Sequence, residues 1–119
     1  MILDLKEKLQ EAFRIDLSEA IRDLGIPVAA YERIVRISLG ETGKRLLDIE
    51  DGFLRQDLES VQRAAHELTG VYLNLRLTPL ADAARQMNMA ARTGAADEAR
   101  RAFEVLREQF TRLDRIFVE

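Results

Sequence analysis

Residues 57–81 read Asp57-Leu58-Glu59-Ser60-Val61-Gln62-Arg63-Ala64-Ala65-His66-Glu67-Leu68-Thr69-Gly70-Val71-Tyr72-Leu73-Asn74-Leu75-Arg76-Leu77-Thr78-Pro79-Leu80-Ala81. Leu58, Val61, Ala65, Leu68, Tyr72 and Leu75 recur at the three- and four-residue spacing that lines one face of a helix. Asp57 is a good N-cap for that helix. Glu59, Gln62, Arg63, His66, Thr69, Gly70 and Leu73 fall on the opposite face. Thr78-Pro79 reads as a cap followed by proline at the first helical position, so another helix starts there. A link of only a few residues forces the two helices to run antiparallel as neighbours.

The same period extends in both directions. Ile2, Leu5, Leu9, Phe13, Leu17, Ile21 and Leu24 form a first stripe, stopped by Gly25-Ile26-Pro27. Asp16 followed by Glu19 is the pattern of a capping box, which would split this segment in two. Unsplit, it would be about 36 Å long at about 1.5 Å per residue. After Pro27 the stripe is Tyr31, Ile34, Val35, Ser38, Thr42, Leu46, Ile49 and Phe53, ended by the region Asp51-Gly52 to Gln56-Asp57. Gly40 and Gly43 weaken that helix by roughly 1 kcal/mol each, or allow a neighbour to approach closely. Beyond Pro79, Leu80, Ala84, Met87 and Ala91 point inward and Gly94 ends the helix. A last helix runs from about Asp97 to Phe117, with Ala99, Phe103, Leu106, Phe110, Leu113 and Phe117 inside. The expectation is an all-α fold: an antiparallel up-down-up-down four-helix bundle over residues 26–119, with an additional N-terminal helical segment over residues 1–25. That segment would lie across one end of the bundle or extend it, and it also offers a surface for a homodimer.

A chain of 119 residues has room for one core. Its net charge of −3 argues against a nucleic-acid partner, which favours a basic face. The absence of cysteine removes disulfide and thiolate chemistry and fits the cytoplasm. No apolar run approaches the roughly 20 residues of a membrane span. Met1-Ile2-Leu3-Asp4-Leu5-Lys6 is not a basic leader followed by an apolar block, so neither a membrane association nor a secretion signal is expected.

With one histidine and no cysteine, a zinc cluster cannot be built from one chain. A carboxylate-bridged metal centre needs inward acids and a Glu-x-x-His unit on each of two helices, whereas the inward positions here are apolar. No cleft or partner residues point to a nucleophile triad. What stands out is His66 itself. Imidazole has two distinct nitrogens and a pKa near neutrality, and a ring nitrogen can accept a phosphoryl group. Gly70 follows four residues later on the same face, in mid-helix, where glycine costs stability and so has a packing or functional reason. Leu73 adds an apolar contact to that face.

On these residues the chain, from about Ile26 to Phe117, resembles the histidine-containing phosphotransfer (HPt) domain of bacterial two-component phosphorelays. The family pattern is a small residue, His, any residue, Leu, Lys, Gly, then several small residues, Asn-Leu-Gly, and a Leu-x-x-Leu-Ala start to the next helix. Ala65, His66, Leu68, Gly70, Asn74-Leu75, Leu77, Leu80 and Ala81 match it, and Asp57 matches the acidic cap nine residues upstream of the histidine. Departures are Thr69 for the lysine, Val71, Tyr72 and Leu73 for mostly small residues, Arg76 for the turn glycine and Asn88 for a glutamate of the next helix.

The resemblance implies a phosphoryl carrier rather than an enzyme in its own right, with His66 as phosphoacceptor. Its partner would be the receiver domain of a response regulator or of a hybrid sensor histidine kinase. The chain would need no cofactor of its own, with Mg²⁺ on the partner receiver. Thr69 would donate to a phosphoryl oxygen, Gly70 would give access and Leu73 apolar contact. Arg63, one turn before the histidine, stands in for the missing cation, and Gln86 and Met89 on the next helix would flank the ring. Two other readings are a degenerate HPt fold that binds a receiver or kinase without carrying phosphate, and a helical scaffold that self-associates through its first segment.

Overall fold

Six helices run through the described residues, 4–118, of the computed structural model: α1 (Leu5–Phe13), α2 (Ser18–Leu24), α3 (Val28–Leu54), α4 (Leu58–Asn74), α5 (Thr78–Arg92) and α6 (Ala96–Val118). Ile2, at the head of the first stripe, lies outside them. The all-α architecture and the antiparallel bundle are as the periodicity dictates. α5 lies between α4 and α6, and α3 packs on α4 and α6. None of the described helices is long and apolar enough to cross a membrane.

The first segment is two helices. Asp4 caps α1 by accepting from the Glu7 amide at 2.8 Å. Arg14 closes α1 in the left-handed region, at φ 53°. The segment splits where the Asp16–Glu19 pattern predicted, but the capping box does not form: Leu17 holds the cap position with no side-chain cap bond, and Asp16 accepts instead from the Ser18 amide two residues on, at 2.9 Å. α1 packs on α6 and α3. Leu9, Phe13, Leu17 and Ile21 join the common core, whereas Leu24 at the end of the stripe is exposed. The Arg112 guanidinium donates to the Ala12 carbonyl and lies over the Phe13 ring, 5.2 Å from its centroid.

α3 buries Tyr31, Val35, Leu39, Thr42, Leu46, Ile49 and Gly52. Ile34, placed on the inward stripe by spacing, is exposed, and Leu39, four residues after Val35, is buried where Ser38 was expected, with Ser38 half-buried. The helix runs through Gly52 and ends at Leu54, inside the stretch from Asp51 to Asp57 expected to close it. Gly52 is where α3 meets α4: a Cβ there would stand 3.0 Å from a Val61 methyl. Gly43 faces the Phe110 ring at 3.4 Å from the Cβ position, whereas Gly40 faces open space and serves no close approach. The buried Tyr31 hydroxyl donates to the Leu75 carbonyl at 2.5 Å, tying α3 to the α4–α5 link. Burial pushes that phenol well above its ordinary range.

The exits of α3, α4 and α5 share one solution. A residue in the left-handed region, Gln56, Arg76 or Gly94, turns the chain. The amide after it bonds back five residues: Asp57 to Gly52, Leu77 to Tyr72, Ala95 to Ala90. These are Schellman turns, which satisfy the orphan carbonyls of a helix end. α5 begins at Thr78 with Leu77 as its N-cap, so Thr78 is the first helical residue and not the cap.

Candidate functional site

α4 is held on three sides. Asp57 caps it by accepting from the Ser60 amide at 3.1 Å. Val61, Ala65, Leu68 and Tyr72 bury its inner face. Burial pushes the Tyr72 phenol up to about 12. Gln62 reaches across to α5, where its side-chain amide donates to Asn88 Oδ1 at 2.7 Å. Asn88 is itself buried, so this bond is a fixed strut between the two helices.

His66 stands on the outward face of this fixed helix, eight residues from either end, and is exposed. Thr69, Gly70 and Leu73 share that face at helical spacing. Gly70 is open: a Cβ built there meets nothing within 4 Å. No packing contact among the described residues therefore requires glycine at this position. Leu73 is 40% exposed beside it. Thr69 differs from its expected role. Its hydroxyl donates to the Ala65 carbonyl at 2.8 Å, the back-bond that satisfies a helical threonine, so its proton is engaged inside α4.

The remaining candidates lie to either side. Arg63 pairs with Glu59 at 3.8 Å and lines a charged groove between α3 and α4, together with Arg45, Ser60 and Glu67. Glu67 is in turn paired with Arg45. Gln86 and Met89 line a groove of about 510 Å³ between α5 and α6, one helix removed from the α4–α5 seam. The structure thus brings together His66, Thr69, Gly70 and Leu73, and leaves Arg63, Gln86 and Met89 at the margins.

Two residues outside the expected set enter. Gln62, placed only on the outer face by its period, is the strut to α5. Arg85 is exposed one turn before Asn88 on α5, and so near the flank that carries the bond to Gln62. The signal for it was the short link, which sets which turns of the two helices are level.

Chemically, this face offers one nucleophilic ring on a rigid helix, with space in front of it and apolar surface beside it. Residues 33–116 match the family model of the Hpt domain. No curated protein and no solved structure gives a significant match. The family match takes in α4, α5 and nearly all of α3 and α6, and leaves α1 and α2 outside.

Proposed function

Since this chain belongs to the Hpt domain family, which serves phosphotransfer in two-component signalling, we propose that it carries a phosphoryl group on His66 between a phosphorylated receiver domain, or sensor kinase, and a response regulator. The observation that carries this is the exposed ring at the centre of a braced helix, with the open space of Gly70 one turn on.

In the transfer, the unprotonated nitrogen of His66 attacks phosphorus in line. A nitrogen–phosphorus bond forms while the phosphorus–oxygen bond to the partner's aspartate breaks, and that electron pair returns to the carboxylate. The other ring nitrogen keeps its proton, so no internal base is needed. Passing the group on reverses these roles: a carboxylate oxygen of the next receiver takes the phosphorus, and the nitrogen regains its lone pair. Phosphoryl transfer is mostly positioning and charge neutralisation. Here α4 does the positioning and Leu73 gives the partner an apolar foothold. Mg²⁺ on the receiver would supply neutralisation of the phosphoryl charge.

A second reading has one observation in its favour. Thr69 stands in place of the family's lysine, with its hydroxyl bonded to its own helix, which suits a protein that binds a receiver without taking phosphate. Incubation with a phosphorylated receiver or a cognate kinase separates the two. The carrier reading expects acid-labile, base-stable phosphate on the wild type and none on His66→Gln. Measurable receiver binding with no label on the wild type would establish the second reading instead.

A further inference from the structure

We propose that Arg85 of α5, and neither Thr69 nor Arg63, is the cation that receives the phosphoryl group beside His66. The inference rests on the carrier reading and names a further residue of that same site.

The α4–α5 link fixes which residues are level. His66 lies ten residues before the turn residue Arg76, and Gln86 ten residues after it, so in an antiparallel pair they stand side by side. The Gln62–Asn88 hydrogen bond agrees with this register to about half a turn. Along α5, Gln86 itself turns toward α6, into the groove it lines with Met89. Arg85 is three residues from Asn88, and therefore on the flank that faces α4. On α4, His66 and Thr69 are four and seven residues from Gln62, on the flank that faces α5. Packed helices stand about 8–10 Å apart, a gap that an arginine side chain can lean across.

The other donors near this face are less well placed. The Thr69 hydroxyl bonds to Ala65. Arg63, in a long and exposed pair with Glu59, lines the groove toward α3, away from α5. Glu67, the acid next to His66, is neutralised by Arg45. Arg85 has one ion-pair contact among the described residues, with Asp82 at 3.9 Å, and both side chains are about half exposed. Such a pair holds its partners weakly and gives way to a doubly charged phosphoryl group. A planar guanidinium fork suits phosphoryl oxygens in pairs, which neither a threonine nor a point charge does.

The test uses the full chain and potassium phosphoramidate, which phosphorylates an accessible imidazole without any receiver. Labelling of His66 is followed by phosphorus NMR in wild type, Arg85→Gln, Arg85→Lys and Arg63→Gln, each checked for native helicity. The expected result is labelling about tenfold slower in Arg85→Gln, a smaller loss in Arg85→Lys, which keeps the charge but not the fork, and most of the rate kept in Arg63→Gln. An Arg85→Gln rate equal to wild type overturns the assignment, as does an equal loss in Arg63→Gln. Failure of the carrier reading is visible separately. A wild-type chain that labels with phosphoramidate and never from a phosphorylated receiver loses its place in a relay, whatever Arg85 does.

Discussion

Gly52 and Gly70 both sit inside helices, one in α3 and one in α4, where glycine costs about 1 kcal/mol relative to alanine. Their surroundings differ completely. At Gly52 a Cβ would press on Val61 at 3.0 Å and approach the Asp57 carbonyl at 3.5 Å, so the contact between α3 and α4 explains the residue. At Gly70 a Cβ meets nothing within 4 Å. The first glycine is explained inside the chain. The second has no internal explanation and stands one turn from an exposed histidine, so its reason is sought outside the chain, in whatever comes to that ring.

Leucine at each position should therefore produce opposite failures. Gly70→Leu puts a side chain where a partner must pass. Transfer from a phosphorylated receiver should fall by about a hundredfold, the scale of an ångström-level misplacement of reacting groups. Its melting temperature should stay level or rise, because leucine is the better helix former. Transfer at the wild-type rate would break the comparison, since Gly70 would then be a glycine without a use. Gly52→Leu should do the reverse. Overpacking against Val61 costs about 1–3 kcal/mol or more, and thermal unfolding should move down by roughly 10 °C. Whatever folded protein remains should still take label on His66. A Gly52→Leu chain as stable as wild type would mean that the α3–α4 contact yields easily, and the distinction between the two glycines would lose its basis.

The sequence carried the architecture because each bundle helix buries a stripe with a clean 3.6-residue period, and each short link leaves one way to pack. Val61, Ala65, Leu68 and Tyr72 on α4 were legible for that reason, and so was the outward side that holds His66. What was not legible depends on contacts between helices. Ile34 and Val35 are apolar neighbours, and only where α3 meets its partner helices decides that Val35 goes in while Ile34 stays exposed. The Thr69 proton is a local competition between the Ala65 carbonyl and a future ligand, which residue type alone does not settle. Gln86 and Met89 are at about the right height for the ring but on the wrong flank of α5, because height follows from counting along the link, whereas the facing flank needed the Gln62–Asn88 bond as a reference.

The smallest expected effect sharpens the comparison from a third direction, a glycine the family has and this chain lacks. Arg76 holds the left-handed conformation of the α4 exit at φ 60°. That conformation is forced by the backbone bonds Arg76 to Leu73 and Leu77 to Tyr72, which serve any residue. A side chain there costs about 1 kcal/mol or somewhat more. Against this stands a long, exposed ion pair with Asp23 of α2, at 3.9 Å, worth about half a kcal/mol at most. Arg76→Gly should therefore raise stability by about 0.5–1 kcal/mol in denaturant titrations, with no change in transfer on His66. A loss of stability instead would show that Asp23 and Arg76 anchor the N-terminal helices to the bundle more firmly than an exposed pair normally does. The backbone at this turn, unlike that at Gly70, would then be explained by side-chain partners on another helix.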